Sequence, residues 1–284
     1  MRKPMTSTLT LLTSALLLSA CTAEAPTPAP DRAADRTDLR AALGVSSLTP
    51  TGVTIEPGTG RVLVLDADRG IFEVTPDGQA NLVWGLERLE AYGVPVASPF
   101  TDLVAVEAGV IALTAISDGF LLDLGADSFE QHFCYEPGWE EEPPPFEERA
   151  IQVTDAVAFD AHTGRILAQP RTIVGDDFGA PVEAFVSTYD RSSGADIQWF
   201  SLPSADFKAG GMAIEPEGTV LLGQGSALYR HDPTEGTLTL IQDLSPWGIR
   251  AIEGMALDAE RGALLIIDGD TEALVRISMA EIGG

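Results

Sequence analysis

Five segments of this 284-residue chain follow one plan: TGVTIEPGTGRVLVLD (51–66), DLVAVEAGVIALT (102–114), DAVAFDAHTGRILAQ (155–169), GGMAIEPEGTVLLG (210–223) and EGMALDAERGALLIID (253–268). Each opens with an apolar stretch of strand-like alternation, closes it with an acid, turns at glycine and enters a second aliphatic strand. The closing acids are Glu56, Glu107, Asp160, Glu215 and Asp258, which lie 51, 53, 55 and 43 residues apart. A third strand follows each hairpin (GIFEVT, GFLLDL, EAFVSTYD, SALYRHD, TEALVRIS), and four copies add a fourth (ANLVW, SFEQHF, DIQWFSL, TLTLIQDL). Units of four short strands at a period in the forties to fifties bury their faces by radial stacking, which makes a β-propeller. The expected fold is all-β, a single propeller of five blades, with six as the alternative. An open β-sandwich would need five copies in one register by accident.

The last copy stops after its third strand, at Met279-Ala280-Glu281. A ring with an open edge is normally closed by a strand from the other terminus, and Ala41 to Leu48 is placed to supply it. The stretches 86–100, 134–150 and 170–182 read as loops. GWEEEPPPFEE (138–148) cannot be a strand interior, because adjacent prolines remove ladder donors.

The N-terminus carries a different message. Arg2 and Lys3 precede a short apolar run from Met5 to Leu18, closed by Leu18-Ser19-Ala20-Cys21. This is the layout of a secretory signal, and it is too short for a comfortable membrane span. The closing four residues are similar to a bacterial lipobox, which implies acylation of Cys21 and a bilayer as partner. Thr22 after the cysteine then implies an outer-membrane destination in a Gram-negative envelope. Residues 22–40, rich in Ala, Pro and charge, lack an apolar period and read as a tether, with a short helix around Arg32 to Leu43 as an option. The expected organisation is a signal peptide over 1–20, an anchored cysteine and tether over 21–40, and a propeller over 41–284.

Loss of residues 1–20 leaves 15 basic against 43 acidic side chains, a net charge of −28. That balance argues against nucleic acid and against lying flat on anionic lipid. The only lysines are Lys3 and Lys208, a bias read as genomic rather than functional. Cys134 is the only thiol left once Cys21 is acylated, so no intrachain disulfide can staple the domain, and an inert role is expected for it.

The GGMA and EGMA openings, each followed by an acid, a glycine turn and an aliphatic strand, resemble the NHL-repeat and gluconolactonase/regucalcin propellers. The resemblance covers the repeats from about Gly52 onward. In the lactonase branch it implies a divalent cation at the channel mouth, held by residues that open inner strands, five positions before the closing acid. Those positions here hold Thr51, Asp102, Asp155, Gly210 and Glu253. Glu253 matches the glutamate of the family's EGP-type opening, and Asp102 and Asp155 match its acidic openings. No copy has an asparagine there.

Propeller geometry bears on the same residues without the resemblance. The inner strand starts at one face of the channel, and the turns Asp66-Ala67-Asp68, Ser117-Asp118 and Asp268-Gly269-Asp270 return to that face. Exposed carboxylates gathered there would suit a hard ion such as calcium, so Asp102, Asp155 and Glu253 are the candidate ligands. The same residue types also serve as turn formers, the role expected of the five closing acids on the opposite face. There is no G-x-S-x-G elbow, no H-E-x-x-H, no C-x-x-C and no phosphate-cradling Gly-Lys loop. His132, His162 and His231 are scattered, with surface or hydrogen-bonded roles expected. Trp84, Trp199 and Trp247 are expected to pack between blades. Two functions follow. The favoured one is a membrane-anchored extracytoplasmic module that binds a small ligand or envelope partner through its acidic channel face. The alternative is a cation-dependent hydrolase of lactones or esters, with Glu253 as catalytic residue and ion ligand, which the missing asparagine makes second choice.

Overall fold

The computed structural model describes residues 34–91, 100–115, 118–134, 150–174, 181–191, 196–232 and 234–282. The chain divides after Pro30, and the compact unit Asp31–Gly284 holds every described strand. Cys21, the signal peptide and GWEEEPPPFEE lie outside the described residues.

Five four-stranded antiparallel sheets make five blades, as the repeats require. The first holds β2 (Pro50–Ile55), β3 (Val62–Asp66), β4 (Gly70–Val74) and β5 (Ala80–Gly85). The second holds β6 (Phe100–Glu107), β7 (Val110–Ala115), β8 (Asp118–Asp123) and β9 (Ser128–Cys134). The third holds β10 (Ala150–Asp160), β11 (Arg165–Val174), β12 (Pro181–Asp190) and β13 (Asp196–Ser201). The fourth holds β14 (Gly211–Ile214), β15 (Val220–Gln224), β16 (Ala227–Asp232) and β17 (Thr237–Asp243). The fifth holds β18 (Ile252–Asp258), β19 (Ala263–Asp268) and β20 (Ala273–Ser278), completed by β1 (Asp35–Asp38).

The closing strand is therefore Asp35–Asp38, not Ala41–Leu48, and the propeller begins inside the stretch read as tether. β1 pairs antiparallel with β20, Asp35 opposite Arg276 and Asp38 opposite Ala273. Arg36 fastens it: Nη2 donates to Asp268 Oδ2 at 3.1 Å and Nη1 to the Trp247 carbonyl at 3.1 Å. A wholly polar, mostly exposed segment suits an outermost strand, which packs little against the rest of the protein. Ala41–Leu48 lies beyond it. The short helix α1 (Leu39–Leu43) is capped by Asp38, which accepts from the Ala41 amide at 3.0 Å, and ends at Gly44 in the left-handed region. Leu39 and Leu48 then close the apolar seam between the fifth and first blades. Two segments read as loops carry regular structure: α2 (Leu86–Ala91) follows the first blade, and β11 and β12 extend into 170–182.

The second strands β3 and β19 are buried at every residue, because each blade face packs on a neighbour. Their continuous aliphatic runs have that cause. Five apolar clusters fill the five seams, each drawing on two adjacent blades, as with Leu63, Trp84 and Phe100 between the first and second. Trp84 and Trp247 are both nearly fully buried at such seams. Trp199 falls on β13.

At the centre the inner strands come too close for ordinary side chains. A Cβ on Gly52 would lie 2.9 Å from the Leu103 amide nitrogen, one on Gly211 2.7 Å from the Met255 nitrogen, and one on Gly254 2.7 Å from Gly52 Cα. Glycine at the strand opening is thus what lets five blades close a narrow ring. Toward the closing acids the channel is apolar, a space of about 140 Å³ among residues such as Val53, Val104, Ala158, Met212 and Met255.

Candidate functional site

Four inner strands carry a β-bulge, near the start in β2, β6 and β18 and midway along β10. The ladder registers skip Thr51 in β2, Thr101 in β6, Asp155 in β10 and Glu253 in β18. In the fourth blade Gly210, whose amide bonds the Gly223 carbonyl at 2.8 Å, stands just ahead of β14. A bulge turns its extra residue out of the ladder and re-aims the side chain. The residue after it faces the next blade: Gly52 against Leu103, Gly211 against Met255, Gly254 against Val53.

Asp102 occupies that second position. Its Oδ2 accepts the Val157 amide of the third blade at 2.9 Å, and Oδ1 accepts the Leu103 amide at 2.8 Å. It is 1% exposed, and burial pushes its carboxyl well up against the pull of those two amides. Asp102 is thus a stitch between blades rather than a channel-mouth group. β6 has a second bulge at Val106, so counting five residues back from Glu107 lands one residue past the equivalent position. A one-residue slip turns a side chain to another face. Thr101 is the equivalent residue, and its Oγ1 lies 3.0 Å from Thr114 Oγ1.

Asp155 and Glu253 do come within electrostatic reach of each other. Arg171 on β11 grips Asp155 with two donors, Nη2 to Oδ1 at 3.0 Å and Nε to Oδ2. Burial lifts the Asp155 carboxyl, opposed by Arg171 and by the more distant Lys208. Glu253 differs, because no hydrogen bond or ion pair from a described residue reaches it. It is half-buried with its Cγ against Gly269, and burial raises its carboxyl. Lys208 opposes that rise, whereas Asp270 and Asp155 reinforce it. Lys208 is exposed and acts on both carboxylates. The only lysine beyond the N-terminus thus stands within electrostatic reach of both Asp155 and Glu253. Its rarity was the available sequence signal.

The donor set does not fit a divalent cation held by Asp102, Asp155 and Glu253. Asp102 spends both oxygens on amides inside a seam and Asp155 spends both on Arg171, so Glu253 alone is uncommitted. Calcium needs six to eight oxygens. Among the described residues, no three His, Cys, Asp or Glu side chains are grouped to hold a metal.

The turn carboxylates also depart from expectation. Asp66 and Asp268 are buried, not exposed. Asp66 accepts the Thr49 amide at 2.8 Å and Asp268 those of Arg250 and Ala251, both at 3.0 Å, so each pins the start of its own inner strand. Ser117 lies outside the described residues. On the opposite face Asp160 forms the expected turn, accepting the His162 amide at 2.9 Å. Glu56 and Glu107 go further and clasp neighbouring blades, through the Gly109 amide at 2.8 Å and the Arg191 guanidinium. His231 is fully buried, with Phe200 at its edge and, among the described residues, no hydrogen-bond partner for either ring nitrogen, rather than on the surface or hydrogen-bonded.

No protein-family model and no curated protein matches the chain. Solved structures do. A gluconolactonase from Xanthomonas campestris superposes with a TM-score of 0.51 at 12% identity, over 82% of this chain and 73% of that one. An auxiliary nutrient-binding protein from Bacteroides thetaiotaomicron gives 0.46 at 10% identity, over 82% and 60%. The extracellular domain of a two-component system from the same organism gives 0.42 at 12%, and there this chain spans only 26% of the other. At such identities the likeness is one of fold: the chain is a five-bladed β-propeller similar to that gluconolactonase structure.

Proposed function

We propose that this protein is a lipid-anchored, extracytoplasmic binding module that takes its ligand at the channel mouth, between Glu253, Asp270, Asp155 and Lys208. The carrying observation is the state of Glu253, a half-buried carboxylate presented by a bulge and left without a donor among the described residues. An unpaired charge held partly out of water is unfavourable, and natural folds retain such groups where a ligand compensates. A cationic ligand group would pair with Glu253 and Asp270. Lys208 gives the site an anion-seeking point as well, so a zwitterion such as an amino acid or short peptide fits the charge pattern. Calorimetry with free amino acids and dipeptides tests this. Binding should be lost in Glu253→Gln and weakened at least tenfold in Lys208→Met. Absence of binding across the panel would overturn the ligand class.

The likeness in fold to a gluconolactonase favours a second reading, a lactone or ester hydrolase, whose cation would need ligands other than Asp102 and Asp155, since both are committed elsewhere. It requires turnover in a lactone and aryl-ester panel that depends on calcium and on Glu253 but not on Lys208. The anchor has its own test, since labelled palmitate should enter the wild-type protein and not Cys21→Ser. Label retained in that variant would rule out acylation of Cys21. Placement in a bacterial envelope, and in the outer membrane of a Gram-negative cell, follows from the same signal.

A further inference from the structure

On the face opposite the channel mouth, a cleft of about 310 Å³ lies in the seam where the fifth blade meets the first. Arg61 lines one wall, from the turn between β2 and β3, and Arg261 and Arg276 line the other. Asp35 and Glu73 are the acids of the lining, so three guanidiniums meet two carboxylates in a chain of net charge −26. The pairs formed stay within each wall. Arg61 bonds Glu73 at 3.0 Å and lies 3.6 Å from buried Glu56, and Arg261 bonds Asp258 at 2.8 Å. Arg276 has only a 3.9 Å approach to Asp258, beyond hydrogen-bonding distance. Among the described residues, no ion pair joins these arginines across the seam. Each guanidinium has five donors, and of these only Arg61 Nη2 and Arg261 Nη1 are committed to side-chain hydrogen bonds among the described residues.

We propose that this cleft is a second binding site, for a small multivalent oxyanion held between Arg61 of the first blade and Arg261 and Arg276 of the fifth. Planar guanidinium forks match carboxylate and phosphate oxygens, and the volume lies at the lower end for small-ligand cavities. The ligand would bridge the two blades brought together by ring closure, and so stabilise the fold by mass action. This site is independent of the channel mouth, and its test does not involve Glu253.

Isothermal titration of the intact protein with citrate and with inorganic phosphate, at fixed ionic strength, reads the site. Excluded salts stabilise any fold, so the decisive quantity is the difference among variants. Arg276→Gln and Arg61→Gln should each weaken binding of at least one anion tenfold or more. Glu73→Gln, which removes a competing charge from the cleft and leaves Arg61 with Glu56 alone, should tighten it. Arg250→Gln, remote from the cleft, should leave it unchanged. No heat with either anion, or equal weakening in Arg250→Gln, would overturn the proposal. If Arg276→Gln does not fold, the opposed responses of Arg61→Gln and Glu73→Gln decide alone.

Discussion

Gly210 and Glu253 hold the same place in successive blades, and their difference is steric before it is chemical. A Cβ on Gly210 would fall 1.6 Å from the Ile252 carbonyl oxygen, the residue just before Glu253. The fourth blade gives up its side chain so that the fifth can present one. Gly210→Ala should therefore destabilise the protein by about 3 kcal/mol or more in urea unfolding, since backbone must move. Glu253 pulls the other way. Its carboxyl is raised by burial, so the unfolded chain releases the proton at lower pH than the folded one, and stability falls as pH climbs through the folded value. Glu253→Gln should then melt higher than wild type at pH 7, with the gap closing below about pH 4, the ordinary glutamate range. A lower melting point at pH 7 would make the residue structural. His231 has the opposite sign. Burial lowers its pKa, opposed by Asp232, so the unfolded state takes up a proton first as pH falls. Stability should drop below about pH 6.5, the unperturbed histidine value, and His231→Phe should flatten that slope in denaturation curves.

Among the elements, the inner strands decide which acids face the channel. The repeat spacing placed Asp102, Asp155 and Glu253 in one register, and two of the three are at the bulge. The exception arises because β6 is one residue longer, with its extra residue at Val106. Period-2 alternation survives such an insertion on either side of it, so neither composition nor spacing betrays it. Asp102→Ala checks the reassignment: it leaves the Val157 amide unpaired in a dry seam and should cost about 1–3 kcal/mol while leaving channel-mouth binding intact. Loss of binding without loss of stability would return Asp102 to the mouth. Lys208 was legible only as a rarity, because its proximity to Glu253 and Asp155 depends on how the turn before β14 folds back over the ring.

For the whole molecule, closure rests on four residues. β1 covers the free edge of β20, and Arg36 ties it to Asp268 and the Trp247 carbonyl. Arg36→Ala removes the cation paired with buried Asp268 and the donor to the Trp247 carbonyl, and should cost about 1–3 kcal/mol. Deletion through Asp38 should expose the β20 edge and produce higher oligomers in size-exclusion chromatography, where a monomer of wild-type stability would refute the closure. Local sequence pattern points past the closing strand to Ala41–Leu48, because Asp35–Asp38 has the polar composition of a tether. What makes it a strand is the unpaired edge waiting at the other end of the chain. By itself the sequence determined the all-β propeller, favoured five blades over six, and required an N-terminal strand, since all of these follow from local period and repetition. Tertiary structure decided which residues close the ring, which carboxylates stay uncommitted, and how charge is distributed between the channel mouth and the arginine cleft. Those depend on contacts between blades, and no local pattern encodes them.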